Sequence, residues 1–317
     1  MHMKTLIFLY LAARVESHVF VGNPAPVQWN LDIDKLIMPM NGDPNHLGPE
    51  WRQQPFPCKN HHKHVLEENY TTTWYAGMNA TLQIFDSTNS SGLTMHDPGA
   101  AHSGGSCQVS FSYDDGNTWV VIQSWEGNCV RVRQGQEGQV TNSYDTNQNY
   151  TFYIPASLPS GDKVIVAWTW LNATGKREFY MSCSSVRIHN ANALAKMPTG
   201  FPMFVANLQA DVAVLESDDW FWSQCHIPHG VWIHYPAQYR GMNAPIVAKQ
   251  PPPGSSITFL TLTDTEGICS SDNVMAVEAL ARSSDLDSTL ATQRLEVTSI
   301  SVVVPSPIRV PESVTCI

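Results

Sequence analysis

The sequence predicts an all-β protein built around an antiparallel β-sandwich with long loops. Between residues 106 and 188, short runs rich in β-branched and aromatic residues alternate with turn signals at regular intervals, which is typical of β-sandwiches. The long amphipathic helices that a parallel α/β sheet would need are missing from this region. Residues 22–105 are richer in Pro, Gly, Asn and His, and we expect them to form long loops that decorate the sandwich.

The clearest predicted element is a β-hairpin. Residues 107–113 (CQVSFSY) and 118–125 (TWVVIQSW) have the composition of strands, and the DDGN sequence at 114–117 supplies the turn between them. Turn residues also separate the later runs that are rich in β-branched and aromatic residues. Further strands are therefore predicted at 150–154, 163–171 and 178–188.

The Pro251-Pro252-Pro253-Gly254 segment is the strongest domain-end signal in the chain. We therefore divide the sequence into a leader at 1–17, a β-sandwich domain at 18–254 and a C-terminal extension at 255–317. The extension is given no fold or activity. It contains β-rich runs at 257–262 and 295–304 and a helix-like run at 274–282.

The composition is that of a folded globular protein and argues against a nucleic-acid partner. The 317 residues are 43% hydrophobic and 15% charged, which is atypical of a disordered chain or a coiled coil. With 18 Lys and Arg against 28 Asp and Glu, the formal net charge is -10. This is the wrong sign for a protein that neutralises phosphates.

The first 17 residues have the order of a secretory signal peptide. Lys4 precedes an apolar run at 5–13 (TLIFLYLAA), and Val15 and Ser17 suit the -3 and -1 positions of a cleavage site. The run is about half of the roughly 20 apolar residues that a bilayer-spanning helix needs, so we predict a cleaved leader, a secreted protein and no membrane anchor. Sequons for N-glycosylation, which suit this pathway, occur at Asn69, Asn79, Asn89, Asn149 and Asn172.

Cysteine usage fits an oxidising compartment. Most of the seven cysteines are expected in disulfides, and the odd number leaves at least one unpaired. Their spacing contains no C-x-x-C, which disfavours a structural zinc ribbon. Sequence spacing alone leaves the connectivity open among Cys58, Cys107, Cys129, Cys183, Cys225, Cys269 and Cys316.

Cleavage after Ser17 would make His18 the first residue of the mature chain. An N-terminal histidine offers its α-amine and its imidazole, two nitrogens that can chelate one metal ion. A second imidazole would complete a three-nitrogen site that suits copper by ligand type and geometry. The candidate is His102, in the GAAHSGGSC segment at 99–107 directly before a predicted strand. Because loop histidines are more often exposed and inert, His102 depends on the terminal histidine for this interpretation.

Glu178 and Tyr180 are predicted to complete the site. Alternation along a strand places Glu178 and Tyr180 on one face, with Phe179, Met181 and Cys183 on the other. The Tyr180 phenol could fill a weak axial metal position, and the Glu178 carboxylate could orient the oxidant or move a proton. The alternative is an ordinary surface strand, which these two residues alone do not exclude.

Six sequence segments, taken in order over roughly residues 18–254, resemble a known family. They are HVFVGNP at 18–24, FPCK at 56–59, HSGGSCQ at 102–108, WTWLN at 168–172, GKREFYMSC at 175–183 and MFVAN at 203–207. Together they resemble the fungal lytic polysaccharide monooxygenases of auxiliary activity family 11, and six ordered segments are more specific than any single motif.

This resemblance implies an immunoglobulin- or fibronectin-like β-sandwich that carries one copper ion in a histidine brace. The ligands would be the amine and ring of His18 and the ring of His102, with Tyr180 as the axial residue and Glu178 beside it. The family acts on chitin and cleaves its glycosidic bonds oxidatively, with an external electron donor and O2 or H2O2. The implied catalytic residues are thus His18, His102, Tyr180 and Glu178.

The resemblance also implies the disulfides Cys58 with Cys183 and Cys107 with Cys129. Under this pairing, three cysteines have no assigned disulfide partner: Cys225, Cys269 and Cys316. The expected partner is an insoluble polysaccharide, and the polysaccharide that the resemblance implies is chitin. We expect a monomer with neither a nucleic-acid nor a membrane partner.

Other functions fit the sequence less well. A secreted copper-binding protein on the same fold, handling copper without oxidising polysaccharide, needs the ligands but neither an axial phenol nor a neighbouring carboxylate. A carbohydrate-binding or cell-wall β-sandwich would leave His18, His102 and Tyr180 unexplained. A serine hydrolase is disfavoured because HSGGS at 102–106 lacks the G-x-S-x-G elbow and its α/β context.

Residues 209–240 look like an insertion relative to the family. They contain Trp220-Phe221-Trp222, the CHIPH sequence at 225–229 and His234, which could form a second metal site or an aromatic patch that faces substrate. Irregular His and Trp residues more often pack in loops. At the HHKH sequence at 61–64, adventitious surface metal binding is the expected interpretation.

Overall fold

The computed structural model describes residues 19–27, 38–42, 53–64, 72–86, 104–136, 145, 147–173, 178–197, 201–208, 231–235, 241–243 and 258–261. The leader at 1–17 lies outside these ranges, as does the extension at 255–317 apart from 258–261. The division into leader, sandwich and extension therefore stays a prediction. Within the described ranges, no helix is long and apolar enough to cross a membrane.

The described residues form ten β-strands in three sheets. In chain order they are β1 (Val19–Asn23), β2 (Thr72–Tyr75), β3 (Asn79–Asp86), β4 (Gly105–Ser112), β5 (Val120–Trp125), β6 (Asn149–Tyr153), β7 (Gly161–Asn172), β8 (Phe179–His189), β9 (Val231–His234) and β10 (Thr258–Thr261). One sheet has the order β2-β8-β7-β4-β5, the second β1-β3-β6, and β9 pairs with β10. Strands in the two larger sheets are antiparallel, except that β2 runs parallel to β8.

The predicted hairpin is β4 and β5, which pair antiparallel. Its turn is fixed by Asp114, whose carboxylate accepts hydrogen bonds from the Thr118 amide at 2.8 Å and the Ser112 hydroxyl at 2.9 Å. Although burial raises the pKa of Asp114, the hydrogen bonds from Thr118 and Ser112 bring it below its ordinary value. The strands predicted farther along the chain are β6, β7 and β8, so the all-β sandwich is confirmed.

The expectation of long loops across residues 22–105 is corrected at β2 and β3. β3 is the central strand of the three-stranded sheet. Its sequence NATLQIFD alternates buried Ala80, Leu82 and Ile84 with polar residues. Those polar residues are Asn, Thr and Gln, which give the segment a loop-like composition although its period is that of a strand.

Two apolar clusters lie on opposite faces of the five-stranded sheet. The inner core, between the two sheets, joins Leu82 of β3 to Phe111 of β4 and Trp168 of β7. The outer cluster packs Ile165 and Phe179 against the segment 201–208. Because both faces are covered, β7 is buried without interruption over 164–172, a pattern that is otherwise typical of parallel sheets.

Two disulfides fasten loops to this sheet. Cys58 bonds to Cys183 in the middle of β8, and Cys107 near the start of β4 bonds to Cys129 beyond β5. These are the two pairings that the family resemblance implied. The first bond therefore fixes the segment around Cys58 to β8, and the second fixes the segment around Cys129 to β4.

Removing the second disulfide should lower stability substantially. The Cys107→Ala, Cys129→Ala double variant loses a crosslink between residues 22 apart in sequence, which corresponds to about 3 kcal/mol of unfolding free energy. Urea unfolding followed by tryptophan fluorescence measures the change. Cys316→Ala, a cysteine outside both bonds, is the control. Equal midpoints for the double variant and the wild type would contradict the prediction.

Candidate metal centre

Glu178 and Tyr180 meet at the start of β8. Tyr180 is the second residue of the strand, and its hydroxyl donates a hydrogen bond of 2.7 Å to Glu178 Oε2. Tyr180 lies in the inner core, whereas Phe179 and Met181 lie in the outer cluster, as strand alternation requires. The carboxylate and the phenol therefore share one side of β8, as predicted.

The alternative of an ordinary surface strand is wrong for β8. Residues 179–186 are all buried, and Tyr180 is only 1% exposed. The physical reason is that the inner core covers one face of the strand and the segment 201–208 helps to cover the other. Tyr180 is thus buried in the inner core, while Glu178, directly before β8, is half-buried.

Asn172, the last residue of β7, holds Glu178 from the neighbouring strand. Its side-chain amide donates to Glu178 Oε2 at 3.2 Å, and its backbone N–H donates to the Glu178 carbonyl at 3.0 Å. One carboxylate oxygen thus accepts hydrogen bonds from both Tyr180 and Asn172. This suits an ionised carboxylate, which can only accept, and it orients Glu178 from two strands.

The same contact corrects the predicted glycosylation of Asn172. The residue is 4% exposed, and its side-chain nitrogen, which would carry the glycan, faces Glu178. Asn79 and Asn149 are exposed and remain predicted acceptors. Asn69 and Asn89 lie outside the described residues.

Trp170 connects Tyr180 to the start of β4. Its ring packs against the Tyr180 ring with centroids 4.8 Å apart, and its indole N–H donates to the Gly104 carbonyl at 3.2 Å. The Trp168 ring also stacks on Trp170, with ring centroids 5.9 Å apart. Because all three aromatic rings are fully buried, they form a rigid support under the phenol.

Gly105 permits the close approach of β4 to β7. Its φ is +138°, and a Cβ at this position would lie 2.1 Å from the Leu171 carbonyl oxygen, so no larger residue fits. The Gly105 carbonyl accepts a hydrogen bond of 3.2 Å from the Cys129 N–H. The backbone three residues after His102 is thereby fixed to both β7 and the Cys129 turn.

These elements converge at one end of the five-stranded sheet. Gly105 pairs with Asn172 and Trp170 pairs with Tyr180, so β4 begins where β7 ends and β8 begins. His102 precedes β4 by three residues in the sequence, and His18 directly precedes β1. Both histidines lie outside the described residues, so the brace itself stays a prediction.

The chemistry of the donors fits copper. Imidazole and amine nitrogens with a weak phenolic oxygen form a donor set that copper accepts, and the Tyr180 hydroxyl is the phenolic oxygen predicted for it. In the part of the chain that the structure describes, no group of three or more His, Cys, Asp or Glu side chains is placed to hold a metal. That His18 and His102 supply the nitrogen ligands stays a prediction.

A second polar cluster joins β9 to the same sheet. Glu126, 4% exposed, has Oε2 2.6 Å from His234 Nδ1, and its Oε1 accepts the Tyr235 N–H at 3.1 Å. Burial and the Glu126 charge raise the pKa of Tyr235 well above its ordinary value. Ser106 adds hydrogen bonds to the Ile233 backbone. The end of the 209–240 stretch is thus anchored beside β4.

The role predicted for the rest of that stretch stays untested. Trp220-Phe221-Trp222 and the CHIPH sequence at 225–229 lie outside the described residues. His234, the described member of the group, contacts a carboxylate.

The expectation of surface metal binding at HHKH 61–64 is corrected at His62. These residues belong to a 3-10 helix, Cys58–His64, and His62 is 6% exposed. Its ring lies close to Gly116, since a Cβ on that glycine would be 3.0 Å from His62 Cδ2. Neighbouring Lys59 is also buried, which lowers its pKa to about 7.

The chain is similar to curated proteins from Aspergillus. It is 30% identical over 223 residues to AA11 family lytic polysaccharide monooxygenase A of Aspergillus fumigatus, covering 67% of this chain and 84% of that protein. It is 28% identical over 258 residues to an AA11 family lytic polysaccharide monooxygenase of Aspergillus oryzae, covering 75% of this chain and 52% of the relative. AA11 family lytic polysaccharide monooxygenase B of Aspergillus fumigatus is 29% identical over 215 residues, covering 62% of this chain and 45% of the relative.

The chain thus spans about half the length of the second and third relatives. No family model matches it. The crystal structure of HiLPMO9B has 16% sequence identity and a TM-score of 0.28, covering 53% of this chain and 68% of that chain. At so low a TM-score, the likeness says nothing about function.

Proposed function

This chain belongs to the AA11 family of lytic polysaccharide monooxygenases, and we propose that it is a secreted, copper-dependent enzyme that cleaves chitin oxidatively. The observation that carries the proposal is the hydrogen-bonded pair of Tyr180 and Glu178 at one end of the five-stranded sheet. A protein that only carries copper needs no such pair beside its ligands.

We infer that the His18 amine and ring and the His102 ring would hold the copper, with the Tyr180 hydroxyl as a weak oxygen donor. Copper in this set would supply the redox chemistry that activates O2 or H2O2 with an external electron donor. The Trp170 ring against Tyr180 and the Tyr180 hydrogen bond to Glu178 keep the phenol in one position. The phenolic donor would therefore be preorganised, with little rearrangement needed on binding.

The role proposed for Glu178 is to hold or move a proton on its carboxylate. In the net reaction with peroxide, a sugar C–H and H2O2 give C–OH and H2O. With O2, two electrons and two protons must also be delivered. The hydroxylated carbon then loses its glycosidic oxygen, which breaks the chain. Glu178 is the described carboxylate beside the phenol, and its half-buried position would leave it accessible for proton exchange.

The test begins with the secreted protein. N-terminal mass analysis establishes whether the mature chain starts at His18, and metal analysis gives the copper content. Product mass spectrometry after incubation with β-chitin and ascorbate then looks for oxidised oligosaccharides. A start at His18, one copper per chain and aldonic-acid or ketosugar products are expected.

Other outcomes identify which part of the proposal fails. A start at His18 with bound copper but no oxidised product would favour the copper-binding protein. Any other mature N-terminus would remove the brace, because the α-amine of His18 would then be absent or tied up in a peptide bond. Oxidised products from another polysaccharide but not from chitin would support the monooxygenase activity and contradict chitin as the substrate.

Tyr180→Phe should change the copper spectrum without removing the metal. The variant loses the phenolic oxygen and its hydrogen bond to Glu178, which costs about 1 kcal/mol of stability. Electron paramagnetic resonance of the copper(II) protein measures the effect. Tyr150→Phe is the matched control, because Tyr150 is also buried and donates a hydrogen bond of 2.8 Å to Gln148. Identical spectra for Tyr180→Phe and the wild type would show that the Tyr180 hydroxyl is not a copper donor.

A further inference from the structure

Two sequons lie side by side on the outer face of the three-stranded sheet. Asn79-Ala80-Thr81 begins β3 and Asn149-Tyr150-Thr151 begins β6. Asn and Thr of one sequon are two residues apart, so a strand places both on the same face. Their middle residues, Ala80 and Tyr150, are 4% and 2% exposed and belong to the inner core. The acceptor residues therefore face away from the core.

The register between the strands brings the two sequons together. Thr81 pairs with Thr151, and their hydroxyl oxygens are 2.9 Å apart. Asn79 pairs with Tyr153, and Asn149 pairs with Gln83 at the other end. The two asparagines are thus separated by four residues along the sheet, which is roughly 14 Å at the rise of a β-strand. That spacing leaves room for a glycan on each.

Tyr153 stands directly across the sheet from Asn79. Its side chain is 43% exposed, although a large aromatic ring on a sheet surface is normally covered in part. Its hydroxyl oxygen is 3.8 Å from the point where a Cβ would lie on Gly77, so the ring extends along the turn that precedes Asn79. Directly paired residues have Cβ atoms about 5 Å apart, which is within reach of the first sugar of an Asn79 glycan.

We propose that this face is a glycan-bearing surface, with N-linked glycans on both Asn79 and Asn149 and the first sugar on Asn79 packed against Tyr153. The flat ring offers an apolar surface to the C–H face of the sugar. Glycans here cover the outer face of the three-stranded sheet, whereas Glu178 and Tyr180 belong to the five-stranded sheet. The proposed glycans and the proposed copper site therefore belong to different sheets.

The proposal rests on the proposed secretion. It is tested on protein made with its own leader in a glycosylating eukaryotic host, with enzymatic glycan release in H2(18)O and peptide mass mapping. Incorporation of 18O is expected at Asn79 and Asn149 and not at Asn172. An unlabelled Asn79 or Asn149 overturns the proposal, whatever the state of the other sequons. The mature N-terminus and chitin products are measured on the same sample, so failure of the proposed function is seen separately.

The contact with Tyr153 is tested by thermal unfolding. Tyr153→Ala should lower the melting temperature of the glycosylated protein by about 2–4 °C more than it does in the Asn79→Gln background, where the sugar is absent. Thr81→Ala removes the same glycan and should reproduce the Asn79→Gln result. Tyr75→Ala, at a 53% exposed tyrosine on β2, is the control. Equal shifts for Tyr153→Ala with and without the glycan overturn the stacking.

Discussion

Replacing His102 with alanine is expected to abolish tight copper binding and chitin oxidation while leaving the fold intact. The variant loses one of the three nitrogen donors proposed for the metal. Removing a residue that merely orients a ligand typically costs roughly 10–100-fold in affinity, so loss of a ligand should cost more. Isothermal titration with copper and product mass spectrometry measure the two effects.

The fold should tolerate this change because the neighbouring backbone is held by other groups. The Gly104 carbonyl accepts the Trp170 indole N–H, and the Gly105 carbonyl accepts the Cys129 N–H. Cys107 is further fixed by its disulfide. None of these contacts uses the His102 ring, so the free energy of unfolding measured in urea should stay within about 0.5 kcal/mol of the wild type.

His189→Ala is the matched control for this experiment. His189 is an exposed residue that ends β8 and packs edge-on against Tyr75, at the opposite end of the strand from Tyr180. It should keep full copper binding and activity. Oxidised chitooligosaccharides released by His102→Ala at the wild-type rate would exclude His102 from the site.

The relation of Glu178 to Tyr180 could be predicted from sequence because it is local. Side chains two apart in a strand share a face whatever the strand packs against, and the observed hydrogen bond follows that rule. The hairpin at β4 and β5 could be predicted for the same reason, since its turn residues are adjacent in the sequence. Local periodicity thus fixes which functional side chains are neighbours.

Features that depend on distant segments could not be predicted in this way. The burial of β8 on both faces arises because distant segments, 201–208 among them, cover its outer side, and no pattern within β8 signals that cover. The link from Trp170 to Gly104 spans 66 residues. Asn172 looked like a glycan acceptor because a sequon is a local pattern, whereas its burial against Glu178 is a tertiary contact.

Glu178→Gln is expected to slow chitin oxidation on the order of 100-fold or more while copper stays bound. Loss of a positioned general acid or base typically costs 10²–10⁴-fold. Glutamine has nearly the same shape, and its amide oxygen can still accept from Tyr180 and Asn172, so the geometry around the phenol should survive. What disappears is the group that can take up and release a proton. Initial rates at saturating reductant and the copper dissociation constant separate these two consequences.

Two variants decide between proton handling and simple support of Tyr180. Glu178→Asp keeps a carboxylate but shortens its reach, so it should retain more activity than Glu178→Gln if the proton matters. If Glu178 only positions the phenol, the order should reverse, because glutamine keeps the 2.7 Å contact that aspartate cannot reach. Glu126→Gln makes the same chemical change at a carboxylate that contacts His234, and its turnover should match the wild type. Wild-type rates of chitin oxidation in Glu178→Gln would leave the Glu178 carboxylate with no part in catalysis.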